Sequence, residues 1–175
     1  MNPRKLIIFT DSGDTIIDEG SQIFDERGVV IHANVIPGAD RTLHALHDAG
    51  YRIALVADGR TESFRNVMTE NGLWELFDTK TISEELNTQK PDPLMFTDAM
   101  TRNNLCDEDK RRIIMVGNNL ERDIRGANRF GITSVLIDWS PRYDMRPGSD
   151  EDTPDYIIHK PEELLRLAER LDSLL

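Results

Sequence analysis

The chain has 175 residues, close to the common size of a single domain, so we expect one hydrophobic core over residues 1–175. Hydrophobic residues make up 38% and charged residues 30% of it, which excludes both a disordered chain and a membrane protein. The 32 Asp and Glu outnumber the 21 Lys and Arg, for a formal net charge of −11. This charge argues against a nucleic-acid partner, because the chain would repel a phosphate backbone.

Short apolar segments alternate with segments of helical period along the chain. The short segments are rich in Ile and Val and apolar on both faces, which is typical of buried parallel strands. In chain order we predict strands over 5–10, 52–57, 77–82, 112–117, 133–138 and 156–158, and helices over 39–49, 62–71, 93–103, 120–130 and 161–175. This alternation predicts a three-layer α/β/α sandwich, with a Rossmann-like, mostly parallel sheet of five to six strands.

Two stretches interrupt the alternation. Residues 15–36 carry apolar pairs around a polar middle that contains Gly20 and Gly28, and they predict a projecting β-hairpin flap. Residues 139–154 are rich in Pro, Gly and acidic residues and predict a long loop, with its acidic run 150–152 in solvent.

The cellular setting is predicted from cysteine, histidine and apolar content. Cys106 is the only cysteine, so it forms no internal disulfide, and the four histidines lack zinc-ligand spacing. The N-terminal apolar run is too short for a signal peptide, and no run approaches the roughly twenty apolar residues of a membrane helix. We expect a cytoplasmic protein with no membrane partner.

Polar residues follow the predicted strands where ligands bind in open parallel sheets, at the carboxyl ends. They are Asp11, Asp58, Asn118 and Asp123, and Lys90 precedes the helix over 93–103. Oxygen ligands beside a lysine suit a hard divalent cation, with a phosphate group bridging the metal and Lys90. Such a site would supply the local positive charge that an acidic chain needs to handle an anionic substrate.

The order of these motifs resembles the haloacid dehalogenase-like superfamily. Asp11-x-x-x-Thr15 follows the first strand, and Lys90-Pro91-Asp92-Pro93 precedes a helix. The other matching segments are Ala57-Asp58-Gly59, then Gly117-Asn118-Asn119-Leu120-x-x-Asp123 followed by Gly126-Ala127 and Gly131-Ile132. The resemblance spans residues 5–138, and the last two motifs are far more specific together than either is alone.

The resemblance implies a magnesium-dependent phosphohydrolase. Asp11 would attack phosphorus to form an aspartyl-phosphate, and Lys90 would hold this nucleophile. Mg²⁺ would be bound by Asp11, by the backbone carbonyl of Gly13 and by the fourth-motif residues Asn118 and Asp123. The phosphate of a small molecule or a phosphoprotein would lie against the second-motif segment, Ala57, Asp58, Gly59 and Arg60.

Three positions depart from the family's usual residues. Gly13 stands where a second aspartate serves as general acid and base, a group worth about 10² to 10⁴ in rate. Ala57 replaces a hydroxyl residue, and Asn118 replaces an aspartate. Asp14 or Asp58 could substitute for the missing acid. The alternative function is therefore a catalytically weakened relative that binds a phosphorylated ligand or protein partner.

The chain has no room for the cap domain that sets specificity in many members of this superfamily. Only the flap over 15–36 fills the first insertion position, and core elements fill the second. This resembles capless members that act on larger substrates or cover the open site by forming a homodimer. A dehalogenase is a third reading, weakened because its chemistry benefits from an enclosed, dry pocket.

Most of these residues also have an ordinary structural interpretation. Asp11 and Asn119 suit turns and helix caps, and Asp123 could pair with Arg122 or Arg125 on a helix surface. Lys90 could be a solvated loop residue. Among the remaining charged residues, we treat Arg60, Arg142, Arg146 and the acidic run 150–152 as exposed, with anion contacts as the alternative for the arginines. Cys106, beside acidic residues, should have no depressed pKa and no nucleophilic role.

Overall fold

The computed structural model describes residues 5–175, which form eight strands and six α-helices. The strands are β1 Ile7–Thr10, β2 Ile23–Phe24, β3 Val30–His32, β4 Arg52–Ala57, β5 Thr79–Ile82, β6 Ile113–Gly117, β7 Thr133–Ile137 and β8 Tyr156–Ile158. The helices are α1 Ala39–Asp48, α2 Thr61–Glu70, α3 Ser83–Leu86, α4 Pro93–Arg102, α5 Arg125–Phe130 and α6 Glu163–Asp172. All six predicted strands are confirmed within two residues at each end.

The main sheet is six-stranded and parallel, with the order β5-β4-β1-β6-β7-β8. The chain adds β4 and β5 on one side of β1 and then β6, β7 and β8 on the other, so its direction of winding reverses at β1. Thr10, the last residue of β1, lies in register with Leu55 and Val116. The carboxyl ends of β1, β4 and β6 therefore meet at a topological switch point, the usual binding crevice of such sheets.

Alternate residues of β1 point into two hydrophobic layers. Ile8 packs among side chains of α1, α2 and α6, whereas Ile7 and Phe9 pack against α4 and α5 on the opposite face. These residues are almost completely buried, as the period-2 geometry of a doubly covered strand requires. The predicted three-layer sandwich is confirmed.

The helix predicted over 120–130 is not one uniform helix. It begins as a wide π-turn, Leu120–Ile124, and continues as α5. The Asn119 side chain caps it by accepting hydrogen bonds from the backbone N–H groups of Glu121 and Arg122, at 3.1 and 3.0 Å. The capping interpretation of Asn119 is thus confirmed, and the wide turn places Asp123 over the end of β6.

The flap over 15–36 contains the predicted hairpin, β2 paired with β3, and is fixed to α2 rather than projecting freely. The backbone N–H of Val30 donates to Ser63 Oγ at 3.0 Å, and Asn66 Nδ2 donates to the carbonyl of Val30 at 3.1 Å. Ile23, Phe24 and Ile31 remain exposed. Within residues 5–175, neither this hairpin nor the segment between α2 and α4 adds a separate cap domain.

The 139–154 loop is held to the core by ion pairs, and one residue of its acidic run 150–152 corrects the expectation that this run is solvated. Asp152 is buried and accepts hydrogen bonds from Arg125 Nε at 2.7 Å and Ser149 Oγ at 2.9 Å. Arg142 is exposed, as expected, but it also pairs with a buried carboxylate, since its Nε donates to Asp14 Oδ2 at 2.6 Å.

Two smaller findings concern composition. Cys106 is exposed, and hydrogen bonding to Glu108 and Asp109 raises the pKa of its thiol, as expected for an unreactive cysteine. No helix in the described part of the chain is long and apolar enough to cross a bilayer.

Candidate active site

Lys90 lies at the centre of the switch point and is 1% exposed. Its ammonium donates to Asp11 Oδ1 at 2.7 Å, to Asp123 Oδ1 at 2.7 Å and to the backbone carbonyl of Val56 at 2.8 Å. These three bonds use all the donors of an ammonium group. Lys90 is therefore a buried, fully bonded group that joins the ends of β1 and β4 to the segment after β6, and not a solvated loop lysine.

The carboxylates keep Lys90 charged in spite of its burial. Burial by itself favours the neutral amine, but Asp11, Asp123 and Asp58 together hold the pKa of Lys90 above its ordinary value. Conversely, burial raises the pKa of Asp123, and repulsion from Asp11 adds to this effect while Lys90 opposes it. The cluster thus has more acidic groups than its single lysine can neutralise.

Asp123 turns inward toward Lys90 and forms no pair with Arg122 or Arg125. Its Oδ2 accepts a hydrogen bond from the backbone N–H of Asn119 at 3.0 Å, so both of its oxygens have protein donors. A Cβ atom on Gly117 would overlap this carboxyl group. Glycine at the end of β6 is therefore needed for Asp123 to fold back against the strand.

Asp11 is the member of the cluster that reaches the surface, with its side chain 15% exposed. Its backbone N–H donates to the carbonyl of Val116 at 2.9 Å, which holds the segment after β1 against β6. Asp11 lines a cavity of about 280 Å³ that lies between the sheet edge, the flap and α2. One oxygen of its carboxylate binds Lys90, which leaves the other with no protein donor among the described residues.

Gly13 and Asn118 line the same cavity as Asp11. Asn118 is 2% exposed, and its Nδ2 has no hydrogen-bond partner among the described residues. A buried NH2 group without a partner is uncommon, and because it is a donor it indicates a missing acceptor at this position. Within residues 5–175, no three His, Cys, Asp or Glu side chains could together hold a metal ion, so a cation here would need amide or carbonyl oxygens as well.

The second-motif segment is only partly free to bind an anion. Asp58 Oδ1 accepts the backbone N–H of Lys90 at 3.0 Å, and burial raises the pKa of Asp58. The N–H of Gly59 donates to Ser83 Oγ at 2.8 Å. Arg60 lines the cavity, although its guanidinium also donates to the backbone carbonyl of Arg27. Ala57 is completely buried at the end of β4 and offers no side-chain contact.

Three ionisable cavity residues were not assigned to the site from the sequence. Glu19 comes from the flap, Tyr143 from the 139–154 loop, and Arg122 from the π-turn. Tyr143 donates its hydroxyl to Glu19 Oε2 at 3.1 Å, and the Arg122 guanidinium lies 5.8 Å from the Tyr143 ring centre. Burial raises the pKa of Glu19 although this hydrogen bond opposes it. Their sequence neighbours gave no signal, because the contact between Glu19 and Tyr143 joins segments 124 residues apart.

Asp14, one of the two proposed substitutes for the missing acid, does not reach the cavity. It is completely buried, and its oxygens accept hydrogen bonds from Arg142 Nε and from the backbone N–H of Glu19 at 3.0 Å. Its backbone has φ 45°, a left-handed conformation that aspartate tolerates better than most residues. Asp14 therefore has a structural role in holding the flap and the 139–154 loop together.

The chain belongs to the haloacid dehalogenase-like hydrolase family, whose model matches residues 8–137. This match extends from β1 to β7 and contains Asp11, Lys90, Asn118 and Asp123.

A curated relative agrees with this membership, and two solved structures share the fold. A glyceraldehyde 3-phosphate phosphatase from Methanopyrus kandleri is 34% identical over 140 residues, which cover 80% of this chain and 57% of that protein. The fold of a phosphatase of this family from Thermococcus onnurineus superposes with a TM-score of 0.74 at 19% identity, covering 93% of this chain and 97% of that one. A structure described as a dehalogenase has a TM-score of 0.76 at 17% identity, covering 93% and 96%.

The chain spans about half the length of the curated relatives it matches.

Proposed function

We propose that this chain is a magnesium-dependent phosphohydrolase that acts through an aspartyl-phosphate on Asp11. The observation that carries the proposal is the bond between Lys90 and Asp11, the most accessible carboxylate of an otherwise buried charge cluster. The ammonium fixes one oxygen of Asp11 and leaves the other toward the cavity. A positioned carboxylate of this kind is a suitable nucleophile for phosphoryl transfer.

Each residue of the cluster has a defined task in this proposal. Asp11 attacks phosphorus along the direction of its free oxygen. Lys90 holds Asp11 in place and offsets the negative charge that the phosphoryl group brings into an acidic cavity. Asp123 in turn fixes Lys90 from the opposite side. Arg122 and Arg60 line the cavity and would be the cations available to the remaining phosphate oxygens.

The donor set around Asp11 fits Mg²⁺, which prefers carboxylate and carbonyl oxygens. Asp11, the carbonyl of Gly13 and the side-chain oxygen of Asn118 would hold the ion. The Asp11 oxygen that has no protein donor among the described residues is the feature that favours this assignment. The unpartnered Nδ2 of Asn118 is a donor and suits a phosphate oxygen rather than the cation. Asp123 stays a predicted ligand, although both of its oxygens already accept protein hydrogen bonds. Bound Mg²⁺ would neutralise charge on the transferred phosphoryl group.

The cavity suggests a small phosphomonoester with an apolar body. Its floor is charged, but the wall formed by the flap and α2 is apolar and includes Phe24, Val30, Phe64 and Val67. Such a mixed lining is typical of small-molecule sites. Phosphoproteins remain the alternative substrate, and a second copy of the chain covering the site remains a prediction.

One observation favours the rival function, a weakened relative that binds phosphorylated ligands without turning them over. The N–H of Gly59 is already bonded to Ser83, and Ala57 adds no hydroxyl, so the second motif offers few donors to a phosphate. Tight phosphate binding without turnover would support this rival. Release of halide from a haloacid would instead support a dehalogenase, but we expect no halide release.

The test is release of phosphate from para-nitrophenyl phosphate in the presence of Mg²⁺. Wild-type chain should turn the ester over, and Asp11→Asn, which keeps an acceptor for Lys90 but loses the nucleophile, should not. Asp144→Asn, at an exposed loop position, is the matched control and should retain full activity. Activity that survives Asp11→Asn would contradict the proposal.

A further inference from the structure

An ester of an alkyl alcohol requires a proton donor when its P–O bond breaks, because the departing alkoxide is strongly basic. Such a donor must lie at the cavity and must have an oxygen that the protein does not already use. Five carboxylates lie in or beside the cavity: Asp11, Asp14, Asp58, Asp123 and Glu19. Asp11 is the nucleophile, so the donor must be one of the other four.

Three of the four are committed to structural contacts. Asp14 is completely buried and bonded to Arg142 and to the backbone of Glu19. Both oxygens of Asp123 accept hydrogen bonds in the interior. Asp58 uses Oδ1 for the backbone of Lys90, and its Oδ2 faces two cations, at 4.0 Å from Lys90 Nζ and 3.8 Å from Arg122 Nη1.

Apart from the nucleophile Asp11, Glu19 is the cavity carboxylate that has an oxygen with neither a protein donor nor an ion-pair partner among the described residues. Tyr143 donates to its Oε2 at 3.1 Å and fixes the side chain, while no described residue donates to Oε1. Oε1 points at Gly13, two residues from Asp11. A Cβ atom on Gly13 would overlap Oε1 and lie 2.8 Å from Cδ of Glu19.

The glycine at position 13 is explained by this contact rather than by its own backbone. Gly13 does not have a left-handed φ, so other residues could adopt its conformation. A side chain there would displace the carboxyl group of Glu19. The sequence thus leaves the space above Gly13 empty, and the flap fills it with an acid from six residues further along the chain.

We propose that Glu19 is the general acid and general base of the reaction, an assignment that rests on the proposed phosphohydrolase function. As an oxygen of Asp11 bonds to phosphorus, the P–O bond of the ester breaks and the leaving oxygen takes the proton of Glu19, which gives the free alcohol. Water then attacks phosphorus and gives a proton to the Glu19 carboxylate. The bond between Asp11 and phosphorus breaks, which releases inorganic phosphate and restores both residues.

The dependence on leaving group separates this role from a structural one. Para-nitrophenyl phosphate has a stable leaving anion, whereas 2-phenylethyl phosphate carries a similar aromatic body on an alkyl oxygen. In Glu19→Gln we expect kcat/KM for the alkyl ester to fall by about 10² to 10⁴, and kcat/KM for the aryl ester to change little. Asp11→Asn should abolish turnover of both esters.

Two outcomes would overturn the assignment in different ways. If Asp11→Asn is inactive but Glu19→Gln treats both esters like the wild type, Glu19 has no proton-transfer role and the proposed function stands. If the wild-type chain shows no Asp11-dependent turnover of either ester, both proposals fail.

A double variant that moves the acid from position 19 to position 13 tests whether a carboxyl group in this space is what the reaction needs. Asp at position 13 would place a carboxyl group in the space that Glu19 now fills, once that side chain is removed. We expect Glu19→Ala to lose turnover of the alkyl ester. Gly13→Asp combined with Glu19→Ala should have a kcat/KM for this ester at least tenfold higher than that of Glu19→Ala alone. Thermal unfolding of each variant identifies any that has not folded. A folded double variant no more active than Glu19→Ala would overturn the assignment.

Discussion

The ammonium of Lys90 and the carboxylate of Asp123 form a 2.7 Å hydrogen-bonded ion pair in which each side chain is only 1% exposed. A buried pair of this kind stabilises little in total, because both charges lose their hydration, but removal of one partner leaves the other uncompensated. Lys90 also binds Asp11, so the same contact that supports the fold also positions the proposed nucleophile.

Removal of the Lys90 charge should therefore destabilise the fold. We expect Lys90→Met, which keeps most of the side-chain volume, to lower the free energy of unfolding by about 3–5 kcal/mol. Lys160→Met, at an exposed position, should change it by less than about 0.5 kcal/mol. Urea denaturation of both variants measures the difference, and equal losses would show that Lys90 has no special structural role.

Magnesium should stabilise the folded chain through Asp11. At a concentration about a hundred times its Kd, a ligand that binds only the folded state adds about 2.7 kcal/mol, so the Tm of the wild type should rise with Mg²⁺. In Asp11→Asn this rise should be strongly reduced, whereas Glu169→Gln, at an exposed position on α6, should keep it. An equal rise in Asp123→Asn and the wild type would show that Asp123 is not a ligand, and an equal rise in Asp11→Asn would contradict the proposed metal site.

Phe24 should contribute to substrate binding but not to chemistry. Its side chain is 56% exposed and lines the cavity, whereas Ile31, on the same hairpin, is also exposed but lies outside the cavity. Phe24→Ala should raise KM for an aryl phosphate by about fivefold, equivalent to about 1 kcal/mol of apolar contact, with kcat unchanged. Ile31→Ala should leave both constants unchanged. Equal effects of the two substitutions on KM would place the substrate away from the flap.

Arg142 should matter for stability because it compensates the buried carboxylate of Asp14. Arg142 Nε lies 2.6 Å from Asp14 Oδ2, and its partly exposed side chain moderates the expected cost. We expect Arg142→Gln to lower the free energy of unfolding by about 1–3 kcal/mol. Arg146→Gln changes the same loop at a residue whose side chain has no ion pair within residues 5–175, so it should have little effect. A result in which both variants unfold alike would mean that the loop, rather than the pair, is responsible.

The parts of the candidate site that follow from strand pattern and strand order could be predicted from the sequence. Short Ile- and Val-rich strands and their order determine a parallel sheet, and a parallel sheet brings the ends of its strands together. Asp11, Lys90 and Asp123 were therefore correctly placed at one edge, and their contacts at 2.7 Å follow from that topology. The π-turn was missed, because helical periodicity cannot distinguish one wide turn from an ordinary α-helix.

The long-range contacts could not be predicted in the same way. The sequence shows only that position 13 is a glycine. The folded structure shows that the carboxyl group of Glu19 occupies the space where a side chain at position 13 would lie. Similarly, Asp152 and Arg142 lie in a segment of low apolar content, which predicted only a loop. The burial of Asp152 and the ion pairs of both residues depend on Arg125 and Asp14, whose positions follow from the folded sheet.

Asp11 itself should carry the phosphoryl group during the reaction. The most direct measurement mixes the chain with acetyl phosphate and Mg²⁺, stops the reaction in acid and examines the peptides by mass spectrometry. We expect a phosphoryl group on the peptide that contains Asp11, and none in Asp11→Asn. Turnover by the wild-type chain with the phosphoryl group on another residue, or with no Asp11-dependent phosphorylated peptide at all, would contradict the account.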